Sequence, residues 1–93
     1  MTDEQIVDNA VSLVRPILAG IDPDLQGAIM ANLVAMWLAG HRQKSASGKL
    51  EPATELREYM LTEFVNLIER LTPLEDDAID MQLADGTYNI RNL

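Results

Sequence analysis

Residues 22–40 read DPDLQGAIMANLVAMWLAG, and this stretch decides the fold. Asp22 is a good helix N-cap, Pro23 suits the first helical position and Asp24 complements the positive end of the helix dipole. From Ala28 to Ala39 only Asn32 is polar. Gly40 reads as the stop, with His41 and Arg42 placed to meet the last carbonyls. A helix over 23–39 is ~25 Å long at ~1.5 Å per residue. That length, interrupted by Gln26 and Asn32, describes a core helix and not a bilayer span. Gly27, Ala31, Ala35 and Ala39 recur every four residues as a smooth ridge. Ile29, Leu33 and Met36 lie to one side of it, and Met30, Val34, Trp37 and Leu38 to the other. A helix that is apolar all round must be covered all round.

The flanking segments supply part of that cover. Thr2 and Gln5 form a capping-box pattern that opens a helix over 3–18, with Asp3 and Glu4 in its first turn. Two adjacent apolar stripes follow, Ile6-Ala10-Leu13-Ile17 and Val7-Val11-Val14-Leu18, opposite Gln5, Asp8, Asn9, Ser12 and Arg15. Pro16 cannot donate to the Ser12 carbonyl, so a kink or an early end is expected there, with Gly20 closing the segment. A third helix is expected over 52–71. Ala53, Leu56, Met60, Phe64, Leu67 and Leu71 form its inner stripe, Leu61, Val65 and Ile68 lie beside it, and Glu55, Glu58, Thr62, Asn66 and Glu69 face water.

Residues 41–49 read as a polar loop. The last twenty residues support two readings. Thr72-Pro73-Leu74-Glu75 is a capping-box pattern that suits a short helix ending before Gly86. Asp85-Gly86 is also a favoured two-residue hairpin turn, pairing Leu83 with Tyr88, Met81 with Ile90 and Asp80 with Arg91. The alternation favours the second: one helical turn at 73–77, then a hairpin over 79–84 and 87–91. The expected fold is therefore mainly α. It is a small three-helix domain over 1–93 with a central, nearly all-apolar helix, a short C-terminal helical turn and a β-hairpin.

Composition bounds the chemistry. Of 93 residues, 47% are hydrophobic and 24% charged, an ordinary globular balance. No Cys is present, which excludes disulfides, thiolate metal sites and thiol catalysis. The formal charge is -8, which argues against a polyanionic partner. By segment it is -4 over 1–40, +3 over 41–49 and -7 over 50–93. Direct nucleic-acid binding is not expected, because Arg42, Lys44 and Lys49 have no aromatic platform beside them. Anionic lipid would repel the acidic faces. The acidic start carries no secretory signal and no N-x-Ser/Thr acceptor occurs, so the default address is cytoplasmic.

No catalytic, cofactor-binding or metal-ligating set emerges. His41, the one imidazole, reads as a helix C-terminal residue stabilised by the dipole, because no Ser or Cys nucleophile is set in a motif with it. The run from Ser45 to Lys49 fails the phosphate-loop pattern at Gln43 and Leu50. Glu75, Asp76, Asp77 and Asp80 lack calcium-loop spacing. Two functions remain. The favoured one is a protein–protein interaction module (an adaptor, assembly or regulatory factor) that pairs with itself as a homodimer, because three helices leave the central one incompletely wrapped. Its expected interface is Met30, Asn32, Leu33, Met36 and Trp37, with Asn32 fixing the register. The alternative is an acidic nucleic-acid mimic that presents Glu55, Glu58, Glu69, Glu75, Asp76 and Asp77 to a basic groove. The chain is not expected to be an enzyme.

Overall fold

The computed structural model describes residues 1–88. It is mainly helical: α1 (Asp3–Leu18), α2 (Pro23–Ala39), β1 (Arg42–Lys44), β2 (Leu50–Pro52) and α3 (Thr54–Asp85) follow one another along the chain.

The expected caps form. Thr2 Oγ1 accepts from the Gln5 amide at 3.1 Å, and the Thr2 amide donates to Gln5 Oε1 at 2.8 Å. Pro16 sits inside α1, and the helix ends two residues later at Leu18. Asp22 Oδ1 accepts from the Asp24 amide at 3.0 Å, with Pro23 opening α2. At the far end of α2, His41 Nδ1 lies 2.7 Å from the Trp37 carbonyl and Arg42 Nε donates to the Ala39 carbonyl at 3.2 Å. Gly40 keeps ordinary right-handed helical angles. Its glycine identity instead avoids crowding, because a Cβ there would stand 3.3 Å from the Met36 carbonyl.

Residues 41–49, expected as a loop, carry half of a β-hairpin. β1 and β2 pair antiparallel with Arg42 opposite Pro52, Gln43 opposite Glu51 and Lys44 opposite Leu50. The turn closes through the Ser45 amide on the Lys49 carbonyl at 2.8 Å and the Gly48 amide on the Ser45 carbonyl at 2.9 Å. Gly48 supplies the left-handed residue that such loops use, at φ 81°. An isolated two-stranded ribbon is marginal, and here its base is tied down. The Ala53 amide and Arg57 Nε both donate to the His41 carbonyl, while Arg57 Nη2 donates to the Ala39 carbonyl at 3.0 Å. One guanidinium thus holds the hairpin base and neutralises the negative end of α2.

The C-terminal expectation is corrected. α3 does not stop at 71, and residues 79–85 are helical, not strand; the second proposed strand, from residue 89 on, lies outside the described residues. The two-residue turn needed positive φ at both Asp85 and Gly86. Gly86 alone has it, at 72°, and serves as the helix stop, with the Thr87 and Tyr88 amides folding back on the Gln82 carbonyl. Pro73 is passed inside α3. It removes the donor for the Glu69 carbonyl, yet Leu67, Leu71, Leu74, Ala78 and Met81 keep one apolar face running through it at helical spacing.

α3 is the spine. It is ~48 Å long at ~1.5 Å per residue. α2 runs antiparallel to its first half, with Ala39 at Arg57 and Trp37 on Phe64 at 5.7 Å between ring centroids. α1 lies beside its second half, where Val11 and Arg15 share a cleft with Glu75, Ile79 and Gln82. The result is a rod of 60 × 28 × 25 Å with a radius of gyration of 17.2 Å. A compact chain of this length has a radius of gyration of about 12 Å. Among the described residues no helix is long and apolar enough to cross a membrane.

Candidate interaction surface

Among the described residues only two hydrophobic side chains are buried, Leu18 and Ala53, each 2% exposed. Leu18 sits at the α1–α2 joint, where its carbonyl accepts from Gln26 Nε2 at 2.8 Å. Ala53 sits at the root of the hairpin. The expectation of α2 as a covered central helix is therefore corrected for the single chain: α2 forms as expected, but no residue of it is buried. The reason is geometric. Its three expected neighbours are not arranged around it: α1 lies along the far half of the spine, α3 touches one flank, and residues 79–85, expected as a strand of the third, belong to α3.

The exposed apolar surface is ordered. On α1, Val11 of one stripe lines the cleft with α3 and Leu18 is buried at the joint with α2, whereas on the other stripe Leu13 is 73% and Ile17 68% exposed. On α2, Ala31, Val34, Ala35 and Leu38 line a groove with Phe64 and Ile68 of α3, so the smooth ridge turns toward the spine. At 100° per residue, Leu25, Ile29, Asn32 and Met36 then fall on the side of α2 away from α3, while Leu33 stands at the edge of that face and shares a shallow pocket with Val34, Trp37 and Phe64. Leu33 is 54% and Met36 65% exposed. Among the residues singled out from the sequence, Asn32 and Met36 thus share the open face, and Leu33 lies at its edge beside Trp37. Met30 and Trp37 flank the α2–α3 groove instead. Trp37 leans on Phe64, and its ring meets His41 edge-on at 6.2 Å between centroids, leaving it 41% exposed.

Sequence reasoning missed Ile6, Leu13 and Ile17 as part of this surface. The signal was available: a helix with two full apolar stripes cannot turn both toward one neighbour.

The six carboxylates singled out from the sequence are all exposed. On α3, Glu55, Glu58, Glu69 and Asp76 share the outer face over ~32 Å, Asp77 lies off that row, and Glu75 turns into the cleft with Arg15. DNA carries one phosphate per ~3.4 Å of each strand, so the row is far sparser than the polymer that the alternative reading has it mimic. Among the described residues, no three His, Asp or Glu side chains are grouped so as to hold a metal. The apolar groove of α2 and α3 holds no titratable side chain.

The chain matches no protein-family model, and neither a curated protein nor a solved structure is similar to it.

Proposed function

We propose that this chain is a protein–protein interaction module whose folded state is completed by a second copy of itself, and that it works as an assembly or regulatory factor through contact rather than catalysis. One observation carries the reading. The chain exposes 7756 Å², whereas a compact protein of 10.3 kDa exposes about 5,400 Å². The surplus of about 2,400 Å² per chain lies within what an obligate homodimer buries. Two buried hydrophobic side chains among the described residues are far too few to offset the conformational entropy of ordering them. An isologous pair supplies the missing cover twice over, because the same surface serves both copies. The net charge of -8 keeps such an assembly apart from further copies.

Sedimentation equilibrium with far-ultraviolet circular dichroism tests the reading. The expected result is a helical species of twice the 10.3 kDa chain mass at micromolar concentration. A cooperatively folded species of single-chain mass would overturn it.

A further inference from the structure

Charge is polarised along the rod. At one end the hairpin carries Arg42, Lys44 and Lys49 against the single carboxylate of Glu51, a net positive tip. At the other end α3 carries Glu75, Asp76, Asp77, Asp80 and Asp85, and α1 begins with Asp3, Glu4 and Asp8. We propose that two copies pair side by side and antiparallel, the basic hairpin tip of each docking on the acidic end of the other. This rests on the self-association proposed above and adds its geometry.

Within one chain the two ends do not meet. Thr54 and Glu75 are separated by ~32 Å along α3, about three Debye lengths at 0.1 M salt. Only a second copy brings a basic tip to an acidic end. A parallel pair would set tip against tip and acidic end against acidic end, placing like charges together at both poles. The apolar surface agrees with the antiparallel choice. The open stripe of α1 (Ile6, Leu13, Ile17) and that of α2 (Leu25, Leu33, Met36) sit on helices of 16 and 17 residues. A twofold axis near the joint at 19–22 therefore lays each α1 on the α2 of its partner with matched length, and the contact closes on itself instead of propagating.

The absence of native cysteine makes the test direct. Ala46 is exposed at the hairpin tip. A nitroxide on Ala46→Cys, in the full chain, reports the tip-to-tip distance by pulsed dipolar spectroscopy while sedimentation reports the mass. The expected result is a dimer with labels separated by ~50 Å or more, approaching the 60 Å length of the rod. A dimer with labels within ~30 Å, about the width of the rod, overturns the antiparallel arrangement and leaves self-association standing. A monomer overturns both. Charge reversal gives a second reading. Lys44→Glu with Lys49→Glu should weaken the dimer about 10-fold by inverting rim charge pairs at both poles. Adding Asp76→Lys and Asp77→Lys to the same chain should restore it. In a parallel pair the first change would only exchange like positive for like negative charge across the tips and leave the dimer about as tight, which would sink the proposal.

Discussion

Replacing Leu33 by alanine removes a side chain that its own chain leaves 54% exposed, at the edge of the open face of α2 beside Trp37. Fully burying a leucine contributes about 1.5–3 kcal/mol. Covering the exposed half on assembly is then worth about 1–1.5 kcal/mol per copy. Twofold symmetry counts it twice, so Leu33→Ala should raise the dimer dissociation constant about 30- to 150-fold. Urea denaturation at 1, 10 and 100 µM chain, followed by circular dichroism, reads this. For a folded dimer each tenfold dilution lowers apparent stability by ~1.4 kcal/mol. With a slope of ~1–3 kcal/mol per molar urea, the midpoint falls by about 0.5–1.4 M per dilution step. The variant should show the same concentration dependence from a lower starting midpoint, whereas Thr62→Ala on the polar face of α3 should track the parent. A parent midpoint independent of concentration, or a Leu33→Ala variant that sediments and unfolds like the parent, would refute the reasoning.

Three further outcomes follow from local geometry. Arg57→Ala loses both guanidinium bonds to the Ala39 and His41 carbonyls. It should cost about 2 kcal/mol in urea denaturation, with the largest nuclear magnetic resonance shift changes at residues 39–53. Gly86→Ala meets no atom within 4 Å and keeps a φ of 72°, so its cost is backbone strain alone. That cost is about 1–2 kcal/mol, seen as a lower thermal midpoint with unchanged mass. Pro73→Ala restores a donor to the Glu69 carbonyl and should raise the thermal midpoint by several degrees, for a gain of up to ~3 kcal/mol. An unchanged or lower midpoint would show that α3 depends on the ring where it stands.

What was legible in the sequence was what depends on near neighbours along the chain. Thr2 with Gln5, Asp22 with Pro23, and His41 with Arg42 behave as their types dictate, because a cap involves only residues within one turn. The two hairpin errors share a cause. Asp85-Gly86 suits a helix stop as well as a hairpin turn, since both want a glycine at positive φ. What distinguishes them, the conformation of Asp85, is decided by the helix arriving from Pro73. The apolar spacing of Leu67, Leu71, Leu74, Ala78 and Met81 announced that continuation, but the proline obscured it. The real hairpin has strands of three residues each, too short and too polar to show a period of two. Its position is set by Arg57, a residue sixteen places away from the carbonyl it grips. For the candidate surface, the apolar excess of α2 was legible and its orientation was not. Asn32 and Met36 share the open face and Trp37 does not, because α3 approaches along the side of Val34, with Leu33 left at the edge.

The clamp between Arg57 and the end of α2 closes a segment of under twenty residues, and the antiparallel contact of α2 on α3 grows outward from it. Ring closures of that size take well under a microsecond, and helix growth is similarly quick. A chain diluted out of denaturant should therefore regain most of its ellipticity in the dead time of a stopped-flow instrument. Tryptophan fluorescence from Trp37 should then evolve in a slower phase whose rate climbs in proportion to protein concentration.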